Sequence, residues 1–296
     1  MHNPLRRLTA FLAAAVSLLT ASGCQGSGDP QPESSEIPQV NTVLTVTAFN
    51  VGKADAMVIQ TDNSVTVIDA GNKGDGKVIE KYLTNQGIET VNNFIITHFD
   101  KDHVGGAARL VNRMKIENVY VPDYTSESDE YTSFIEKIDE TGTPLHVMAA
   151  KSSENWSVDE ADFRLYAPNE TDYGKNEEND FSLVLYVTHG QNSLLFTGDA
   201  ENARMDEIMA LNLGKVDFLK FPYHGNYLTK TEAFLDACDP SYTVVCCSEK
   251  EYADDYTVET LKKRVIETYY TCAGTVTAVS NGQTISCTQN TADAGK

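Results

Sequence analysis

Short apolar runs alternate with segments of helical spacing along most of the chain, after an atypical N-terminal stretch. The runs at residues 56–60 and 93–97 are β-branched or apolar, which is typical of buried strands. The segments at 76–83 and 131–140 are predicted to be helices. Because the two kinds of segment interleave, the pattern favours sheets that are covered by helices. Strands are predicted at residues 43–49, 56–60, 65–68, 93–97, 118–121, 145–148, 163–166, 182–187, 193–196, 218–221, 242–246, 276–279 and 284–287. Helices are predicted at residues 76–83, 105–114, 131–140, 203–211, 232–238 and 258–269.

The N-terminal stretch is typical of an export signal. Arg6 and Arg7 precede an apolar segment at residues 8–19, which is too short to span a bilayer comfortably. The small residues directly before Cys24 resemble a bacterial lipobox, in which the cysteine is lipidated after cleavage. We therefore expect residues 1–23 to be a lipoprotein signal peptide and the mature chain to be anchored at the bacterial cell surface through Cys24. An ordinary secretory signal that is cleaved nearby is the alternative.

The composition shifts again before the first strand. Residues 26–38 are rich in Gly, Ser, Pro, Glu and Gln, which is typical of a flexible tether. We therefore expect a signal peptide at 1–23, a lipidated cysteine and tether at 24–42, a folded domain at 43–290 and a C-terminal tail at 291–296. A lipid and a tether imply contact with the membrane through the anchor only.

Charge and composition limit the function classes. The 296 residues include 41% hydrophobic residues, which is enough for a core and excludes a wholly disordered chain. Asp and Glu number 43 against 23 Lys and Arg, so the formal net charge is −20. Removal of the leader would take away Arg6 and Arg7 and no acidic residue. This balance disfavours nucleic acid as a partner, because a phosphate polymer needs a positive surface.

The cysteines give no metal-binding pattern of their own. Five follow Cys24, all of them near the C-terminus, and none forms a Cys-x-x-Cys pair, so a zinc ribbon is not expected. Export permits disulfides, although an odd count leaves at least one free thiol. We expect buried small apolar side chains, with room for one bridge. The five are Cys238, Cys246, Cys247, Cys272 and Cys287.

One segment concentrates chemistry. Two histidines and two aspartates stand close together after the apolar run at 93–97 and before the pair Gly105-Gly106. Side chains of this kind, crowded at the end of a buried strand, need a positive charge among them. A divalent metal is the simplest source, and His with Asp suits zinc, manganese or iron. The four residues are His98, Asp100, Asp102 and His103.

The segment 98–103 resembles the HxHxDH signature of the metallo-β-lactamase superfamily, with Asp100 in place of the second His. That variant resembles the extracytoplasmic hydrolase domain of ComEC-type competence proteins and their stand-alone relatives. Residues 50–56 (Asn-Val-Gly-Lys-Ala-Asp-Ala) are similar to the DVGQGDA motif of that group, and residues 179–185 to its NNSSLVL stretch. The resemblance covers about residues 43–288. It implies an α/β fold of the four-layer αββα sandwich type.

Two later motifs add to the resemblance. Residues 197–199 (Thr-Gly-Asp) match the superfamily motif whose aspartate bridges two metals. His224 precedes Gly225 and matches the second His of an HHG motif, whereas Tyr223 replaces the first. Asp69 resembles an aspartate near the start of the superfamily domain that supports the metal-binding loop, which corresponds to residues 98–103 here. His189 is predicted to lie on the surface.

The resemblance implies one or two metal ions, with zinc as the expected metal and manganese as the alternative. A remaining ligand is expected just before the strand at 182–187, where Asn179 and Asp180 are alternatives. The implied sites are Asp102, His103 and His224 for one ion, His98 and Asp100 for the other, and Asp199 as the bridge.

The implied reaction is metal-dependent hydrolysis by a metal-bound hydroxide. Asp102 would orient this nucleophile, and Tyr223 would donate a hydrogen bond to a developing oxyanion. A site rich in carboxylates suits the hard oxygens of a phosphodiester or phosphomonoester. The charge of the chain favours a small-molecule or cell-wall phosphoester.

Two alternatives remain open. The resemblance to ComEC implies a nuclease linked to DNA uptake, which the net charge disfavours unless lysines and arginines cluster locally. The departures at Tyr223 and at the missing third histidine motivate a lipoprotein that binds its substrate and has lost catalysis.

Overall fold

Two mixed β-sheets face each other in the computed structural model, which describes residues 40–174 and 178–294. The predicted signal peptide, the lipidation site Cys24 and most of the predicted tether lie outside the described residues. The strands are Leu44–Ala48 (β1), Ala56–Gln60 (β2), Val65–Ala70 (β3), Thr90–Ile95 (β4), Lys115–Pro122 (β5), Leu145–Met148 (β6), Ser153–Val158 (β7), Ala161–Tyr166 (β8), Val184–His189 (β9), Asn192–Phe196 (β10), Phe218–Lys220 (β11), Tyr242–Val245 (β12), Glu267–Tyr270 (β13), Thr275–Ser280 (β14) and Ile285–Asn290 (β15).

Helices connect the parallel strands. The α-helices are Gly76–Asn85 (α1), Lys101–Val104 (α2), Ala107–Arg113 (α3), Asp129–Thr141 (α4), Asn202–Ala210 (α5), Thr231–Cys238 (α6) and Asp255–Lys263 (α7). None of these described helices is long and apolar enough to cross a membrane.

Each sheet is partly antiparallel and partly parallel. The first sheet has the order β15-β14-β1-β2-β3-β4-β5-β6, and its strands from β3 to β6 run parallel. The second has the order β13-β12-β11-β10-β9-β8-β7, and its strands from β10 to β13 run parallel. A parallel connection requires a crossover, and helices α1 to α7 lie in these crossovers.

Three apolar clusters separate four layers. One contains residues of both sheets, among them Met57 and Phe163, and so lies between the sheets. A second joins the first sheet to helices α1, α3 and α4 and includes Phe134. A third joins the second sheet to helices α5, α6 and α7 and includes Phe234. The order helix, sheet, sheet, helix confirms the predicted αββα sandwich.

Several elements differ from the prediction, among them the short helix α2 at Lys101–Val104, where no helix was predicted. The helix predicted at residues 258–269 ends at Lys263, and Val265 has a left-handed φ of 59°. The following Glu267–Tyr270 is strand β13, which pairs with β12, so the helix prediction was wrong there. Strand β7 was not predicted, because its polar residues lie at an exposed sheet edge.

The predicted position of the histidine at the end of β9 also needs correction. His189 is buried, although a surface position was predicted. Its Nδ1 lies 2.8 Å from the hydroxyl oxygen of Ser280, and its Nε2 lies 3.1 Å from that of Thr42. Both ring nitrogens therefore have a polar neighbour in the core, which compensates their burial.

Residues just outside both ends of the predicted domain form hydrogen bonds with it. At one end, the hydroxyl of Thr42 donates to the carbonyl of Asp159. At the other end, Asp293 accepts hydrogen bonds from the backbone and the hydroxyl of Thr275. Part of the predicted tether and tail therefore packs against the domain.

The carboxyl ends of several strands from both sheets open onto the same region. Strand β4 leads into the loop before α2, β10 leads into Asp199, and β11 leads into a 3₁₀ turn at Pro222–Gly225. Gly106 allows α3 to begin against β3, because a Cβ atom there would lie 2.1 Å from the carbonyl oxygen of Ala70. Ligand-type side chains from distant parts of the chain meet at this edge.

Candidate metal centre

Four buried side chains converge between the two sheets. One nitrogen or oxygen atom from each of Asp55, His103, Asp199 and His224 lies within 4.8 Å of the others. Asp55 directly precedes β2, His103 lies in α2, Asp199 follows β10 and His224 lies in the turn after β11. Three of the four were predicted as metal ligands from the sequence, whereas Asp55 was not.

The other predicted ligands border this cluster. Nε2 of His98 lies 3.7 Å from a carboxylate oxygen of Asp100, and the rings of His98 and His103 have centroids 4.0 Å apart. A carboxylate oxygen of Asp102 lies 3.2 Å from Nε2 of His224. The structure thus brings all six predicted ligands into one region.

The imidazole nitrogens at the centre fit a metal ion. Nε2 of His98, of His103 and of His224 is buried and has no hydrogen-bond partner among the described residues. Two of these atoms still lie close to a single oxygen of Asp199, at 3.3 Å for His103 and 2.9 Å for His224. Buried polar atoms without partners are rare, and nitrogens grouped around a carboxylate suit a divalent cation.

The opposite ring nitrogens hold the histidines in place. Nδ1 of His103 donates to a carboxylate oxygen of Asp69 over 2.8 Å. Asp69 also accepts from the backbone and the hydroxyl of Thr97, so it braces the loop as the resemblance implied. Nδ1 of His224 donates to the carbonyl of Cys246 over 2.9 Å. Both bonds point Nε2 toward the centre, which is how supporting residues usually orient metal-binding histidines.

The geometry distinguishes the two alternatives for the remaining ligand. One carboxylate oxygen of Asp180 accepts from the backbone N–H groups of Glu201 and Arg204, at the start of α5. Asn179 lines the cavity, and its side-chain oxygen is buried without a hydrogen-bond partner among the described residues. The arrangement favours Asn179.

A buried lysine completes the centre. Nζ of Lys220 lies 2.5 Å from Asp55, 3.2 Å from Asp199 and 2.7 Å from the carbonyl of Gly198. Burial by itself lowers the pKa of Lys220, but the two carboxylates raise it above its usual value, so the ammonium stays charged. The sequence held one signal of this residue: a lysine inside the apolar strand β11.

The charges of the centre are strongly coupled. Burial lowers the pKa of His224, but Asp199 and Asp102 raise it to about 9, and the pKa of His103 also lies above its usual value. The positive neighbours of Asp199, among them Lys220, hold its pKa well below the usual range despite burial. A metal ion would take the place of protons on these histidines, so its binding would release protons.

A cavity of about 750 Å³ opens above the centre. Tyr223 is half-buried in its wall, with a left-handed φ of 48° that turns the chain toward His224. Lys53, Lys101 and Lys250 also line the cavity, and none of the three forms an ion pair with a described residue. The same wall carries Glu249 and Glu251, so the cavity has the candidate metal ligands at its base and both lysines and glutamates around it.

We expect the variant Lys220→Met to lower the free energy of unfolding of the metal-free protein by about 3–5 kcal/mol, because it leaves Asp55 and Asp199 buried without their cation. Urea unfolding after treatment with a chelator measures this. Lys230→Met is the matched control, since the pair of Lys230 with Asp206 is exposed and should contribute about 0–1 kcal/mol. Equal losses in both variants would contradict the assigned role of Lys220.

Comparison with known proteins agrees with this geometry. Residues 50–249 match the model of the metallo-β-lactamase superfamily. Recombination protein 2 of Haemophilus influenzae is 25% identical over 205 residues, which are 68% of this chain and 24% of that protein. ComE operon protein 3 of Bacillus subtilis is 27% identical over 57% of this chain and 21% of its own length. Competence protein ComA of Neisseria gonorrhoeae is 24% identical over 86% of this chain and 34% of its own length. The matched region is between 21% and 34% of the length of each of these relatives.

Two solved structures are similar to this chain at low sequence identity and with TM-scores below 0.5. The metallo-β-lactamase fold protein YhfI from Bacillus subtilis is 12% identical, with a TM-score of 0.49 over 77% of this chain and 95% of its own. A diphosphatase of the PhnP family is 13% identical, with a TM-score of 0.42 over 69% of this chain and 85% of its own. On the match to residues 50–249, this chain belongs to the metallo-β-lactamase superfamily, and it resembles the competence proteins that carry the same domain.

Proposed function

We propose that this chain is an extracytoplasmic, metal-dependent phosphoesterase that acts on a small or cell-wall-linked phosphoester. The observation that carries the proposal is the cavity: histidine nitrogens and carboxylates form its base, and lysines line its wall, with no hydrogen-bond partner for those nitrogens and no ion pair for those lysines in the described part of the chain. Membership of the superfamily and a cluster of residues that could hold a metal ion support the general assignment as a hydrolase.

The residues present fit one or two divalent ions, with zinc as the proposed metal and manganese as the alternative. When bound, the metal supplies a Lewis acid and lowers the pKa of water toward neutrality. The proposed sites are Asp102, His103 and His224 for one ion, His98, Asp100 and Asn179 for the other, and Asp199 between them.

Residues of the chain itself would position the reactants. Burial raises the pKa of Asp102, but His224 and His103 lower it below the usual range, so Asp102 is an ionised acceptor that can orient an attacking water. Burial raises the pKa of the Tyr223 phenol, which therefore keeps its proton near neutral pH. From the cavity wall, the phenol can donate to negative charge that develops on the substrate.

The charge distribution supports a compact anionic substrate. The formal net charge is −20, yet one cavity is lined by three lysines that have no ion-pair partner among the described residues, Lys53, Lys101 and Lys250, beside Glu249 and Glu251. A phosphoester that fits in about 750 Å³ would meet these lysines and the metal. A long polyanion would extend onto acidic surface, where like charges repel it.

The competence relatives motivate a second candidate, a nuclease linked to DNA uptake. Cleavage of DNA should then weaken steeply with salt, because phosphate contacts release counterions. Absence of strand degradation even at low salt would exclude this candidate.

A third candidate, a binding lipoprotein without catalysis, is motivated by Tyr223, which replaces a histidine of the superfamily motif.

We expect the metal-loaded protein to hydrolyse bis(p-nitrophenyl) phosphate and to lose this activity with a chelator. His103→Ala should lower kcat/KM by at least about 100-fold and reduce bound metal, because it removes a central ligand. His146→Ala is the control, since His146 is an exposed residue that stacks on Tyr120. Circular dichroism checks that both variants fold. A protein that binds metal but turns over no phosphoester would favour the binding lipoprotein.

We expect Lys53→Ala, Lys101→Ala and Lys250→Ala each to raise KM for an anionic phosphoester by roughly three- to tenfold with little change in kcat, because these side chains would bind the substrate without contacting the reacting bond. Steady-state kinetics at low and high salt measures this. Lys262→Ala, an exposed lysine of α7, should leave KM unchanged. An unchanged KM in all four variants would show that Lys53, Lys101 and Lys250 do not bind the substrate.

Export and anchoring are proposed from the sequence. We expect the full chain expressed in bacteria to fractionate with membranes and to incorporate a radiolabelled fatty acid, and Cys24→Ala to abolish the label. Cys287→Ala is the matched control and should keep it. Label that persists in Cys24→Ala, or is absent from the wild type, would contradict anchoring at Cys24.

A further inference from the structure

Two thiols meet beside the metal centre. The sulfur atoms of Cys247 and Cys272 lie 3.7 Å apart. Both side chains are buried, at 0% and 5% exposure. No other sulfur pair makes such a contact among the described residues, where Cys238, Cys246 and Cys287 are also free. This one pair is therefore the candidate for a cross-link.

The backbone holds the pair in register. Strands β12 and β13 are parallel neighbours, and their last paired residues are Val245 and Tyr270. Cys247 and Cys272 each follow two positions later, beyond the ends of the strands, and Cys272 lies in the 3₁₀ turn Thr271–Ala273. The backbone N–H of Cys247 donates to the hydroxyl oxygen of Thr271 over 3.0 Å, and this hydroxyl lies 3.2 Å from the carbonyl oxygen of Cys247. These hydrogen bonds hold the two segments side by side, with the two sulfur atoms 3.7 Å apart.

We propose that Cys247 and Cys272 form a disulfide bond in the exported protein, a step that rests on the proposed location outside the cytoplasm. The two S–H bonds break and one S–S bond forms, with release of two protons and two electrons. A disulfide of another molecule accepts them by thiol–disulfide exchange and becomes two thiols. Because the thiols are buried in the folded chain, the exchange takes place while the chain folds.

The bridge would secure one side of the metal centre. Cys246, the residue before Cys247, accepts the hydrogen bond that orients His224. The residues after it, Ser248 to Glu251, form part of the cavity wall and include Lys250. A bond from Cys247 to Cys272 ties this segment to the turn between β13 and β14. The cross-link therefore stabilises both the position of His224 and the wall that carries Lys250.

Mass spectrometry tests the pairing. The full chain is expressed with its leader, purified without reductant, unfolded, alkylated and digested. We expect the peptides of Cys247 and Cys272 to be linked, with Cys238, Cys246 and Cys287 alkylated, and all five residues alkylated after reduction. Alkylated Cys247 and Cys272 without reduction, or linkage of another pair, would overturn the proposal.

A second preparation separates the pairing from export. The reduced chain is unfolded and refolded in a mixture of oxidised and reduced glutathione. A bridge in both preparations supports the proposal. A bridge in the refolded chain alone would overturn the proposed bond in the exported protein, although it would show that the two cysteines are close enough to be joined. Neither readout depends on catalysis, so a failed phosphoester assay leaves the result intact.

Thermal melting distinguishes a bond from a packing contact. We expect Cys272→Ala to lower Tm by roughly 5–15 °C without reductant, because the bridge closes a loop of intermediate length in the unfolded chain. With reductant present during refolding, most of the difference from wild type should disappear. Cys287→Ala is the control, since Cys287 is only partly buried and has no sulfur partner among the described residues. An equal loss of Tm with and without reductant would overturn the bridge.

Discussion

The metal centre depends on a fully buried ion pair network around Lys220. Its ammonium contacts Asp55, which precedes β2 of the first sheet, and Asp199, which follows β10 of the second. Isolated charges would be expensive to bury at this depth, whereas paired charges are tolerated. Because the partners come from different sheets, the network forms only when the two sheets pack. Assembly of the site and packing of the sandwich are thus one event.

The histidines depend on the same packing. His103 and His224 each use Nδ1 for a bond to a neighbouring element, which leaves Nε2 directed at the centre. These bonds restrict the rings before any ion arrives, so less ordering remains for metal binding. The proposed bridge at Cys247 would add a covalent restraint to the segment that holds His224. The centre is therefore pre-organised by the fold on several sides.

Much of the architecture was predictable from residue pattern. Strands β2 and β6 begin and end as predicted. For β2 the local pattern is clear, because its apolar residues lie between the polar Asp55 and Thr61. Strand β13 was missed, since the helical pattern of α7 continues into it and only Val265, with its left-handed backbone, breaks the helix. His189 looked like a surface residue because its partner Ser280 is far away in sequence. Tertiary pairing overrode the local signal in both cases.

By itself, the sequence determined most of the strands and helices, with β7 and β13 as exceptions, and the cluster of ligand-type residues from His98 to His103. These features depend on neighbours along the chain. Only the tertiary structure decided that Asp55 joins the centre, that Lys220 lies between two carboxylates, and that Cys247 meets Cys272. Such contacts join residues that are far apart in the chain, and their geometry is set by how sheets and helices pack. No local pattern records that packing, so the chemistry of the completed centre appears only in the folded molecule.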